Sequence, residues 1–458
     1  MSRGSDSQMI ALVTRSRSRL ATLAVVVVLA LFCGWHAAPA ATQSTPPSCD
    51  WSSQPPYTDF YSPPPLGTLT PDRLGEILRV EHLATYTPEQ VAAAAGVPAS
   101  LYGAEVYRIL YLSQDRSGNP EAVSGLILEP TGTAPSGGFP VIIDGHPTIG
   151  LADVCAPSRR GPLRHLALMP YVAHGYLVTA TDYAGLGTPG LHPYAIGEAV
   201  ARSLLDSARA ALRFCDTEHN IPLQAANQML LEGHSQGGHA ALFGHEIWPA
   251  YAPELNILGT IAFAPGSEPA MLAETMAQAT WSILVEPVTL AMYSMSRYYG
   301  TPTDTVSWLQ EPYASEAAMH IESECIIPLT LWLGFDPSRV FQPNLLAAVQ
   351  EGRWDDIQPW KTYMEINTPG NYQSDVPVLI IQGTADPIVP MEVNIALRER
   401  LCWHGTDTKL SLYADLGHNA PSFGMPEALY WADERLAGIP PTGGCPLSRR
   451  IFLPVVLR

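Results

Sequence analysis

The chain has 458 residues, 47% of them hydrophobic and 15% charged, and a net charge of −18. That composition is far too apolar for a disordered protein and predicts a large buried core, while the acidic balance makes nucleic acid and anionic membrane surfaces poor partners. Only two lysines occur, Lys361 and Lys409; neither completes an S-x-x-K motif or follows a Gly-rich loop, which excludes Ser-Lys hydrolases and Walker-type phosphate binding.

In chain order, Arg15, Arg17 and Arg19 precede the apolar run Leu20 to Phe32, and Ala38-Pro39-Ala40 supplies small residues for cleavage. Residues 1–40 are therefore expected to be a secretory signal peptide, since the run is too short for a bilayer, which asks for about 20 residues. Its removal takes away four arginines, Asp6 and Cys33, leaving 21 basic and 42 acidic residues and a net charge of −21. Six cysteines remain (Cys49, Cys155, Cys215, Cys325, Cys402, Cys445), which in an exported chain suggests three disulfides among fifteen pairings. No C-x-x-C occurs, and the histidines His146, His239 and His245 lack H-E-x-x-H spacing, so no metal is implied.

Residues 41–67 read as a Pro-rich lead-in. Short β-rich runs follow at 106–111, 123–128 and 141–143, the first two forming a hairpin around Ser117-Gly118-Asn119-Pro120. From there strands alternate with helices: a strand at 176–181 and a helix over about 195–214, a strand at 229–231 and a helix over about 236–247, and strands at 257–264, 376–381 and 410–413. Strand then helix, repeated, implies an α/β fold with a mainly parallel sheet and helices on both faces.

The segment Gly233-His234-Ser235-Gln236-Gly237 is a G-x-S-x-G placed between an apolar strand and a helix. A nucleophile elbow forces its serine into a strained turn, so the flanking glycines answer a steric demand, and Ser235 is the expected nucleophile. A serine needs a base and a carboxylate that orients it. Asp386, in the loop leaving the strand at 376–381, is the expected acid, and His418, after the next strand, the expected base. Asp415, three residues from His418, is assigned instead to a turn, and His234 to packing beneath the elbow. Oxyanion donors are expected at the backbone N–H of Gln236 and in the loop 144–150, where Pro147 has none and Thr148 is favoured over His146. Gly185-Leu186-Gly187-Thr188-Pro189-Gly190 spells G-x-G-x-x-G, but Pro189 and Pro193 interrupt the place where a phosphate-binding helix would begin, so no dinucleotide cofactor is expected.

The series Arg108-Ile-Leu-Tyr-Leu-Ser, Ala122-Val-Ser-Gly, Cys155-Ala-Pro-Ser, Thr181-Asp-Tyr-Ala-Gly-Leu-Gly, His192-Pro-Tyr, Leu205-Asp-Ser-Ala-Arg-Ala-Ala and Gly233-His-Ser-Gln-Gly-Gly resembles the secretory lipase family, the lipase A type of α/β-hydrolase, from about residue 66 to 435. The resemblance implies an extracellular carboxylic-ester hydrolase without cofactor, acting on small-molecule or lipid esters, with a triad that falls on Ser235, Asp386 and His418. Many bacterial members carry H-G-T-T-G where this chain has His146-Pro147-Thr148-Ile149-Gly150. The resemblance also suggests Cys155–Cys215 and Cys402–Cys445 bridges, leaving Cys49 with Cys325.

The expected organisation is a hydrolase core in two parts, 68–264 and 376–445, interrupted by a helical cap or lid over 265–375 and followed by a tail at 446–458. Some Met, Trp and Tyr side chains of that insertion are expected to line an acyl-chain pocket. The rival functions are an acyltransferase using the same acyl-enzyme and a binding protein on a dead hydrolase fold; retention of all three triad members argues against the second.

Overall fold

A computed structural model of the chain describes residues 57–214, 224–300, 305–442 and 444–445. The expected signal peptide, most of the lead-in, the C-terminal tail, Cys49 and Cys215 lie outside the described residues.

Nine strands form one sheet: β1 (Ile77–Tyr86), β2 (Gly103–Gln114), β3 (Pro120–Thr131), β4 (Phe139–Gly145), β5 (Leu177–Thr181), β6 (Ala225–His234), β7 (Ile257–Phe263), β8 (Val378–Gly383) and β9 (Thr408–Tyr413), in the spatial order β1-β2-β3-β5-β4-β6-β7-β8-β9. The first three strands pair antiparallel, as does β3 with β5; the six from β5 to β9 are parallel. The interior strands are near-continuous apolar runs because helices cover both of their faces. On one face α3 (Gly197–Arg213) and α4 (Gln236–Tyr251) pack Leu204, Ala208 and Ala241 against Val141, Leu177 and Leu231. On the other, α2 (Pro162–Ala173) and α13 (Ala420–Leu436) pack Met169, Val172, Trp431 and Ala432 against Ile142, Val178, Leu230 and Ile261.

Several elements escaped the sequence pattern, among them α2, α13, β1 and the short helix α1 (Pro88–Ala95) that follows β1. β1 is an edge strand with largely half-buried side chains on both faces, so it lacks the apolar alternation of a one-sided strand. α1 begins with a capping box, Thr87 to Gln90, a local signal the apolar pattern does not carry.

Between β7 and β8 the described residues form α5 (Pro269–Gln278), α6 (Val285–Tyr299), α7 (Tyr313–Ser323), α8 (Ile326–Leu333), α9 (Pro337–Val340), α10 (Pro343–Gln350) and α11 (Trp360–Ile366). These helices enclose a core of their own, built from Met276, Met292, Tyr293, Met295, Phe341 and Trp360 among others. The remaining helix, α12 (Met391–His404), covers β8 through Leu397 and Leu401.

Two expected disulfides are corrected. Cys402 pairs with Cys445, as the family resemblance implied, but Cys155 pairs with Cys325, so neither the expected Cys155–Cys215 bridge nor the expected Cys49–Cys325 bridge forms. The reason is a local approach of two chain segments: Gly150 and Cys325 form an isolated antiparallel bridge, and the Ile326 N–H donates to the Ile149 carbonyl at 3.0 Å. The Cys155–Cys325 bond thereby ties the helices between β7 and β8 to the loop after β4.

Candidate active site

The site is built at the carboxyl end of the parallel strands, where open α/β sheets present loops to a ligand. Ser235 stands between β6 and α4 with φ 57° and ψ −114°, a conformation that costs a non-glycine residue strain and is sustained only when its surroundings dictate it. They do so here. The Ser235 N–H donates to the Phe263 carbonyl of β7 at 2.9 Å, and the Ser235 carbonyl accepts from His239 at 3.1 Å and Gly266 at 3.2 Å. The flanking glycines are sterically required, since a Cβ on Gly237 would lie 1.8 Å from the Gly145 carbonyl oxygen and one on Gly233 would lie 2.2 Å from Gly237.

Asp386 and His418 come from the loops after β8 and β9. Two hydrogen bonds hold these loops together, Thr384 N–H to Tyr413 O and Ala385 N–H to Leu416 O, both 2.9 Å. His418 Nδ1 lies 2.8 Å from Asp386 Oδ2, while Asp386 Oδ1 accepts the Ile388 and Val389 N–H groups, each at 2.9 Å. Burial pushes the Asp386 pKa up, but the His418 hydrogen bond and charge together with the two backbone donors outweigh it, and the carboxyl sits below its ordinary value. Asp415, the competing acid, is exposed in a turn with φ 59°, and its N–H is held by the Thr384 hydroxyl at 2.9 Å.

His234 does more than pack beneath the elbow. Its ring lies 4.5 Å from that of His418, centroid to centroid, and its Nε2–H donates to the His418 carbonyl at 2.9 Å. Burial, followed by the neighbouring His418, pushes its pKa down to about 3, so the ring that buttresses His418 is neutral.

Ser235, Gln236, Thr148 and His418 line one cavity of about 210 Å³. Gln236, the first residue of α4, is turned so that its amide meets His192 Nε2 at 2.7 Å. Of the two loop candidates for the second donor, Thr148 faces the cavity and its hydroxyl bonds Tyr194 at 2.8 Å; His146 is buried, with Nδ1 2.7 Å from the Pro147 carbonyl and Nε2 3.2 Å from the Asp182 carbonyl. The G-x-G-x-x-G segment is a folded loop: Gly185, Gly187 and Gly190 all have positive φ, and α3 begins only at Gly197. Among the described residues, no cluster of three or more His, Cys, Asp or Glu side chains is placed to hold a metal ion.

The walls contributed by the segment between β7 and β8 differ from expectation. They include Leu272, Ile283, Leu284, Val288 and Ile326; among the described residues of that segment, Met364 is the only Met and no Trp or Tyr lines the cavity. Most of its large Met and aromatic side chains fill the helices' own core, and smaller branched residues make up much of the wall that faces the cavity. Sequence reasoning also passed over Glu286, which lines the cavity and is buried. A signal for it existed: Glu286 is the sole charged residue between Glu274 and Arg297.

A mainly parallel sheet with a strained serine at a strand-to-helix turn after β6 and an Asp–His pair at the ends of β8 and β9 defines an α/β-hydrolase. Solved structures agree on the fold: an esterase described as rice cell wall degrading, LipA from Xanthomonas oryzae, superposes with a TM-score of 0.66 at 20% identity, covering 80% of this chain and 100% of that one. Candida antarctica lipase A in its closed state gives a TM-score of 0.64 at 18% identity, covering 84% and 87%. The secretory lipase family model matches residues 163–444, and the chain belongs to that family. Among curated relatives, Lipase 2 of Candida albicans is 27% identical over 417 residues, covering 86% of this chain and 83% of its own, and Lipase A of Arthroderma benhamiae is 26% identical over 417 residues, covering 86% and 82%. The protein is therefore a carboxylic-ester hydrolase of a family of secreted lipases. Among the described residues, no helix is long and apolar enough to cross a membrane.

Proposed function

We propose that the protein hydrolyses lipid esters through a Ser235–His418–Asp386 triad and a covalent acyl-enzyme. The observation that carries the reading is the convergence of three loop ends: Ser235 held in a strained turn, His418 on the same cavity, and Asp386 hydrogen-bonded at 2.8 Å to His418 Nδ1. His418, with Nδ1–H donated to Asp386, offers Nε2 as the base. It takes the Ser235 proton as Oγ attacks the ester carbonyl, and returns it to the departing alcohol. The oxyanion is held by the N–H groups of Gln236 and Thr148. Water, activated by the same imidazole, then releases the acid from Ser235. Residues 265–375 act as the cap over this site, their aliphatic wall receiving the acyl chain, and residues 1–40 direct export as a cleavable signal peptide.

The test is a p-nitrophenyl ester series from two to eighteen carbons, run with wild type and Ser235→Ala, together with phosphonate labelling and peptide mass mapping. Each methylene buried in an apolar wall contributes about 0.8 kcal/mol, so medium chains exceed acetate in kcat/KM. Ser235→Ala loses turnover and label while keeping its circular dichroism. Turnover retained by Ser235→Ala, or label on another residue, refutes the assignment.

A further inference from the structure

The cavity that Ser235 and His418 share is lined mostly by aliphatic side chains, but two of its lining residues each carry a buried polar atom with no hydrogen-bond partner within the protein. One is Oε1 of Glu286, on α6 and 3% exposed; the other is Nδ1 of His239, on α4 and 2% exposed. They belong to different layers of the molecule. His239 follows Ser235 by one helical turn, its N–H bonded to the Ser235 carbonyl, whereas Glu286 comes from the helices inserted between β7 and β8.

The protonation of each group is set by its surroundings. His239 Nε2 lies 2.9 Å from the Asn367 carbonyl, which can only accept, so this nitrogen carries the hydrogen. Burial pushes the ring's pKa down to about 4; the neutral imidazole then leaves Nδ1 as a bare acceptor. Burial likewise pushes Glu286 up to about 8, so near neutral pH it is a carboxylic acid that both donates and accepts. Outside the proposed triad, the two wall threonines are already engaged: the Thr148 hydroxyl with Tyr194 at 2.8 Å and the Thr330 hydroxyl with the Ile326 carbonyl at 2.7 Å. A plain alkyl chain filling this space would leave both the acid and the imidazole lone pair unpaired, whereas a buried polar group that finds its partner becomes a source of discrimination.

We propose that Glu286 and His239 form a polar subsite that selects esters carrying a free hydroxyl group, which donates to His239 Nδ1 and accepts from the Glu286 carboxyl. The proposal rests on the reading of Ser235 as the nucleophile. The shared chemistry is an aliphatic hydroxyl, and it has two sources: a hydroxylated acyl chain, or a polyol alcohol such as the glycerol of a partial glyceride.

The experiment uses the full-length protein and two sets of matched esters. In the acyl set, p-nitrophenyl 3-, 6- and 8-hydroxyoctanoate are compared with octanoate; in the alcohol set, 2,3-dihydroxypropyl octanoate is compared with propyl octanoate. At least one hydroxylated ester is expected to exceed its unsubstituted partner in kcat/KM by about tenfold in the wild type. In Glu286→Leu that ratio falls to about one, while hydrolysis of the unsubstituted octanoate rises because an apolar wall replaces an unpaired acid. Which set carries the preference identifies the source of the hydroxyl. Ratios near one in both sets for the wild type overturn the proposal, and so does a preference that survives in Glu286→Leu. Should that variant not fold, Glu286→Met, which keeps the length of the side chain, takes its place, and wild-type ratios near one overturn the proposal whichever variant is used. If instead Ser235→Ala hydrolyses octanoate as well as wild type does, the nucleophile reading has failed, an outcome distinct from a missing hydroxyl preference.

Discussion

Replacing Asp386 with Asn tests the geometry of the site more sharply than removing the serine, because the side chain keeps its shape and changes only its hydrogen-bonding capacity. The carboxylate accepts from four donors: Ile388 N–H and Val389 N–H on Oδ1, at 2.9 Å each, and His418 Nδ1–H at 2.8 Å and Gln382 Nε2–H at 3.3 Å on Oδ2. An asparagine has one oxygen to offer. The two backbone donors are fixed by the loop and claim it, which turns the amide NH2 toward His418 and Gln382. Gln382 cannot rotate to accept, since its own oxygen takes the Asn394 amide at 2.6 Å. The imidazole must then present Nδ1 as acceptor and carry its hydrogen on Nε2, and it can no longer take the Ser235 proton. Loss of the correct tautomer in a Ser-His-Asp site lowers kcat by about four orders of magnitude, equivalent to about 5.5 kcal/mol of transition-state stabilisation. The assay is kcat/KM on p-nitrophenyl octanoate, with thermal melting as the folding control and Asp415→Asn as the companion, whose exposed carboxyl takes no part in the network and whose activity stays within about threefold of wild type. A loss below tenfold in Asp386→Asn, or a larger loss in Asp415→Asn, would refute the assignment of the acid.

Two further outcomes are expected. Peptide mapping without reductant recovers Cys155 joined to Cys325 and Cys402 joined to Cys445, and Cys325→Ser, which opens a bond spanning 170 residues, costs on the order of 5 kcal/mol by the chain-entropy model; an unaltered melting temperature contradicts this. The buried Glu286 carboxyl, raised from 4.5 to about 8, binds its proton more tightly in the folded than in the unfolded chain, so its contribution to stability is complete below pH 4.5 and is lost as the pH rises through 8. Relative to Glu286→Gln, the wild type should lose roughly 1.4 kcal/mol per pH unit across that window; parallel stability profiles from pH 4.5 to 8 show that the carboxyl titrates alike in both states.

The sequence by itself determined the class of fold and named the residues of the proposed site. Buried parallel strands are apolar throughout, the turn that exposes Ser235 demands glycine at 233 and 237, and the proposed acid and base follow at successive strand ends, so each of these features is written locally in the chain. Local signals failed where the deciding contact joins distant segments. β1 is held by β2 without a one-sided pattern, and Cys155 meets Cys325 because the loop after β4 and the start of α8 pair across 170 residues. The proposal of Asp386 over Asp415 rests on which carboxylate the His418 ring reaches, and the division of the side chains between β7 and β8 into cavity wall and the helices' own core follows from helix packing. Only tertiary structure decided that Glu286 and His239 share one apolar chamber with Ser235, since the burial that sets their protonation is a property of the assembled layers and not of either segment.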